Sequence, residues 1–69
     1  MNSHWYIDDV QGKVLGPLTT EEVIDGIRSN RIPLLSMGRA SHETESRPLV
    51  YFAEFQSFLV EELSRRQQG

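Results

Sequence analysis

Apolar and polar positions along the first third of the chain change period twice. Residues 4–9 run His-Trp-Tyr-Ile-Asp-Asp, strand-favouring side chains ending in turn formers, and Lys13-Val14-Leu15 resumes an extended pattern after Gln11-Gly12. A tight β-hairpin follows. Gly16-Pro17 comes next, and proline's missing N–H predicts that ladder bonding stops there and the chain turns toward a new element. Thr19 with Glu22 three residues on reads as a capping box, with Leu18 and Val23 placed for a hydrophobic staple around it. Val23, Ile24 and Ile27 then recur at helical spacing, and Asn30 suits a left-handed C-cap, so a helix is predicted over residues 20–29. Gly26 lies inside it, costing about 1 kcal/mol relative to alanine unless something packs there closely.

The remainder is less explicit. After Ile32-Pro33, residues 34–41 predict a third strand and residues 42–46 a polar, solvated loop. From Pro48 onward Phe52, Phe55, Leu59 and Leu63 share one helical face with Phe58 beside it, predicting a C-terminal helix over about residues 50–66. Glu61, Glu62, Arg65 and Arg66 close it in acid-then-base order, which allows a Glu62–Arg66 pair at i,i+4. The fold class read from these elements is α+β: a small antiparallel sheet, made of the hairpin and one or two further strands, packed with a capped helix and a C-terminal helix. A single domain over residues 1–69 accounts for them all.

Composition narrows the function. A net charge of −3 and no basic cluster beyond Arg65-Arg66 argue against nucleic acid as a partner. No stretch approaches the roughly 20 apolar residues of a membrane helix, and the chain has no cysteine, so the cytoplasm is the expected setting. His4 and His42, far apart and without a metal-ligand spacing, predict no metal site, and no cofactor is expected. Asp8 and Asp9 look like a carboxylate pair, yet adjacent strand residues face opposite ways and cannot share a substrate. No nucleophile elbow or oriented Ser-His pair occurs either, so an enzyme is not expected.

The segment from Trp5-Tyr6 through Gly16-Pro17 to the capping box resembles, without a gap, the opening half of a GYF domain. Trp5, Gly16 and Pro17 match the family pattern. Leu18 stands where the family has Phe, Val23 where it has Met, Gly26 where it has Trp, and Asn30-Arg31-Ile32 where it has Gly-Tyr-Phe. Asp9 and the short first hairpin resemble the subclass with Asp in place of a second aromatic, of bacterial type, and Arg47-Pro48-Leu49 resembles a short segment near the end of such domains. The similarity covers residues 5–49 and leaves the C-terminal helix unexplained.

The resemblance implies a non-catalytic adaptor that recognises a proline-rich peptide of a partner protein. The contact surface it implies comprises Trp5, Tyr6, Ile7, Asp9, Leu15, Pro17, Leu18, Gly26 and Arg31, with a hollow at Gly26 where the family places a Trp ring. Individual residues keep two readings. Trp5 is either a core anchor whose indole N–H finds a backbone partner or a partly exposed contact, and Leu18 is either staple or groove floor. Tyr6, on the other side of the strand from Trp5, is expected to be accessible. Phe52, Phe55, Phe58 and Leu59 are expected first to pack the C-terminal helix onto the sheet and the first helix. The competing function is a structural or oligomerisation module with a degenerate groove, in one variant the N-terminal domain of a larger signalling protein, in which a leftover stripe of these side chains makes a homodimer or interdomain contact.

Overall fold

The computed structural model describes residues 4–9 and 11–67; the ends of the expected 1–69 domain and Val10 lie outside the described residues. Four strands, β1 (His4–Asp8), β2 (Val14–Thr19), β3 (Met37–Ala40) and β4 (Arg47–Pro48), form one antiparallel sheet in the order β2-β1-β3-β4. Helix α1 (Thr20–Arg28) follows β2 directly, and a 3-10 helix over Leu49–Tyr51 leads into α2 (Ala53–Gln67). The α+β class expected from the sequence is the one observed, with both optional strands present.

Alternation along β1 decides which face carries the core. Trp5 and Ile7 are buried against Val23 and Ile27 of α1 and Phe55 and Leu59 of α2, while Tyr6 and Asp8 face the open side. The Trp5 ring meets Phe52 and Phe55 edge-on, with centroids 4.9 and 4.7 Å away. Its indole N–H donates to the Thr20 hydroxyl at 2.9 Å, a side-chain partner on α1 and not the expected backbone one. Trp5 thereby joins sheet and both helices.

Helix α1 begins and ends as its sequence specifies. The Glu22 N–H donates to the Thr19 hydroxyl at 3.1 Å, and the Thr19 N–H donates to the Glu22 carboxylate at 2.9 Å. At the other end Asn30 sits at φ 64°, its N–H donating to the Ile27 carbonyl and that of Arg31 to the Gly26 carbonyl. This is a Schellman motif with asparagine in the left-handed position.

Three sequence expectations need correction. Gly16-Pro17 does not end the ladder: β2 runs through it to Thr19, with the register slipping between Trp5 and Ile7. Because β2 is the edge strand, proline's missing N–H costs no ladder bond on its open side, and the slip absorbs the extra residue as a bulge. The third strand is shorter than expected, since Leu34 and Leu35 lie in a turn closed by the Ser36 N–H on the Pro33 carbonyl. The C-terminal helix starts at Ala53, not near residue 50, because Arg47–Pro48 pairs with β3 and Phe52 is extended, its carbonyl accepting from the N–H groups of Phe55 and Gln56.

The loop over residues 42–46 is also more ordered than its composition suggests. The Glu43 carboxylate accepts from the Arg47 guanidinium at 2.7 Å, the Glu43 carbonyl accepts from Arg39 at 2.9 Å, and Arg47 lies over the Phe52 ring. One residue, through its carboxylate and its main-chain carbonyl, anchors the turn to both flanking strands.

Near the end of α2, Glu62 is buried, pairs with Arg65 and stands 3.6 Å from the Arg66 guanidinium, which donates in turn to the Ile27 carbonyl at 3.1 Å. The pair expected at Glu62–Arg66 is therefore part of a clasp holding α2 to the C-terminal end of α1. The hydrogen bond from Arg65 holds the Glu62 carboxyl below the usual carboxylate range, against the opposing effect of burial. A lowered pKa in the folded state stabilises the fold above the unfolded glutamate value of about 4.3, and that contribution disappears as pH falls through the folded value below it. Acid titration of thermal stability should show it: the loss of stability below about pH 4.3 is smaller in Glu62→Gln than in the parent. Identical acid profiles would refute the role.

Candidate functional site

The bulge in β2 re-phases the strand. Leu15 pairs with Ile7 and Leu18 with Trp5, so side chains three positions apart, which strict alternation would put on opposite faces, both lie on the helix side of the sheet. Between this stretch of β2 and α1 an open groove of about 380 Å³ remains. Leu15, Leu18 and Ile32 supply its apolar surface, Gly16 and Gly26 bring backbone to it, and Glu22, Asp25 and Arg31 carry its charges.

Four expected contact residues therefore meet here: Leu15, Leu18, Gly26 and Arg31. The other five do not line the groove. Trp5 and Ile7 are each 1% exposed, so they support the groove from the core and cannot touch a ligand. Tyr6 is half-buried on the opposite face of the sheet, its ring 4.6 Å from the guanidinium carbon of Arg39, directly across the β1–β3 pair. Pro17 is exposed on the edge strand, and Asp9 closes the first hairpin, its N–H donating to the Lys13 carbonyl at 2.7 Å.

The hollow implied at Gly26 is filled. A Cβ built there would lie 2.5 Å from Ile32 Cδ1, so the Ile32 side chain occupies the space above the glycine and closes the groove floor. The absent side chain is a packing requirement, not an empty subsite. Leu18 is half-buried against the core and faces the groove.

Sequence reading missed Gly16, Glu22, Asp25 and Ile32 as groove residues. The signal for the acids was present: Glu22, Asp25, Gly26 and Ser29 fall at i, i+3, i+4 and i+7, one face of the helix. Glu22 serves the helix cap and the groove at once. Arg31 is aimed by a short chain of hydrogen bonds, in which its Nε–H donates to the Ser29 hydroxyl at 2.9 Å and that hydroxyl donates to the Gly26 carbonyl at 3.2 Å.

Chemically the groove offers apolar contact and fixed charge. Among the described residues no group of three or more His, Cys, Asp or Glu side chains is placed to hold a metal ion, and no helix is long and apolar enough to cross a membrane. The expected stripe of free Phe on α2 is likewise absent there: Phe52, Phe55 and Leu59 are in the core, and Phe58 is half-buried under Arg28, 5.2 Å from its ring. Packing against the core, the first of the two readings of these side chains, accounts for them. In comparisons with known proteins no family model, no curated protein and no solved structure matches this chain.

Proposed function

We propose that the chain is a non-catalytic peptide-recognition domain, similar to GYF domains, that takes a proline-containing segment of a cytoplasmic partner protein into the groove between β2 and α1. One observation carries the reading. Leu15, Leu18, Gly26 and Arg31, which are far apart in sequence and at which the GYF resemblance implies peptide contacts, line one open, largely apolar channel. A polyproline II segment is stiff and has no internal hydrogen bonds, so a shallow channel holds it with little loss of ligand entropy. Aliphatic walls replace aromatic ridges here, which makes the expected binding weak, with a Kd around 1 mM, equivalent to about −4 kcal/mol.

Titrating the isotope-labelled chain with proline-rich peptides and following backbone amide shifts tests the proposal. Perturbations should centre on Leu15, Leu18, Gly26, Arg31 and Ile32. Shifts confined to Tyr6 and Arg39, on the other face of the sheet, or no shifts at peptide concentrations of several Kd, would rule the groove out.

A further inference from the structure

Acidic side chains, Glu22 and Asp25, and a basic one, Arg31, line the groove with no ion pair between them among the described residues. Asp25 lies midway along α1, exposed, with its carboxylate in no hydrogen bond or ion pair among the described residues. Glu22 flanks it one turn earlier, one carboxylate oxygen already bonded to the Thr19 N–H. Arg31 lies past the C-cap of the same helix, exposed, and only its Nε has a protein partner among the described residues. Asp25 and Arg31 line the same groove without forming an ion pair with each other. Acidic and basic side chains that line one groove without pairing with each other are matched by a ligand that carries the complementary pair.

We propose that the groove selects a short dipolar peptide, with a cationic side chain facing Glu22 and Asp25 and an anionic one facing Arg31, joined by about three apolar or proline residues. The spacing follows from helix geometry. Glu22 to Gly26 covers about 6 Å at a rise of ~1.5 Å per residue, and Arg31 lies roughly one further turn beyond. That total of about 10 Å corresponds to three or four residues of polyproline II at ~3.1 Å each. A peptide lying in one direction in the groove matches these charges in one order only.

This inference rests on the peptide-binding reading, and three end-capped peptides separate the two: Lys-Pro-Leu-Pro-Glu, Glu-Pro-Leu-Pro-Lys and Gln-Pro-Leu-Pro-Gln. In amide-shift titrations of the full chain at low salt, one charged order should bind about three- to tenfold tighter than the neutral peptide, the range two partly exposed ion pairs supply. The advantage should shrink in 1 M salt. In the charge-swapped variant Asp25→Arg/Arg31→Glu the preferred order should reverse, and both positions are exposed, so the fold tolerates the exchange. Three affinities within twofold of one another, or an order preference unchanged by the swap, would overturn the dipolar ligand while leaving peptide binding intact. No perturbation of Leu15 and Leu18 by any of the three would remove both.

Discussion

Trp5→Ala should leave the chain largely unfolded at room temperature. Truncating a fully buried Trp costs about 3–5 kcal/mol through lost transfer energy and the cavity left behind. A domain of this length has only roughly 3–10 kcal/mol in total. Trp5 is 1% exposed, packs edge-on to Phe52 and Phe55 and hydrogen-bonds Thr20, so its loss loosens β1 from both helices together. Trp5→Phe separates the contributions: it keeps a ring but leaves the Thr20 hydroxyl without its donor, and should be clearly less damaging. Urea denaturation followed by far-UV circular dichroism measures both variants. Should Trp5→Ala fall within about 1 kcal/mol of the parent, Trp5 is not the residue that joins the layers.

A second large effect is expected at a residue with no side chain. Gly16 has φ 138°, and a Cβ there would stand 2.6 Å from the Trp5 carbonyl oxygen and 3.1 Å from Tyr6 Cδ1. Gly16→Ala therefore meets two obstacles, a backbone conformation that L-residues rarely adopt and a collision with backbone that has no rotamer to escape into. Such strain costs about 1–3 kcal/mol for the dihedral alone, and the collision adds to it. Gly12→Ala is the matched control, since Gly12 also has positive φ, 85°, but nothing lies within 4 Å of its Cβ position. Melting temperatures should place Gly16→Ala well below Gly12→Ala, with about 4–8 °C expected per kcal/mol in a domain of this size. Equal melts would mean that the bulge relaxes freely. If it does not, the same substitution should also weaken the proposed peptide binding, because the bulge is what puts Leu15 and Leu18 on one side.

Local signals were enough wherever they outweighed alternatives over a short span. The Thr19–Glu22 box, the Val23-Ile24-Ile27 stripe and Asn30 bracket α1 because capping and helical period act within a few residues. The hairpin follows from strand formers on both sides of Gln11-Gly12, and the burial of Trp5 with Tyr6 on the opposite face follows from the period of two. The C-terminal helix was legible in its phenylalanine spacing. Its starting point was not, because the pairing of Arg47–Pro48 with β3 claims residues that could equally have been helical.

The groove depends on contacts between distant residues. A Gly-Pro dipeptide can turn a chain or pass along a sheet edge, and which one happens here is decided by β1, against which β2 slips by one residue opposite Tyr6. That slip turns Leu15 toward α1, and the Schellman turn carries Ile32 back over Gly26, filling the space that the missing side chain suggested was empty. The chain's local chemistry therefore specifies its elements and their buried sides, since propensity, capping and periodicity are short-range effects. The shape of the groove and the loss of Tyr6 from it arise only when those elements pack, because strand register and close packing are set by residues far apart in sequence.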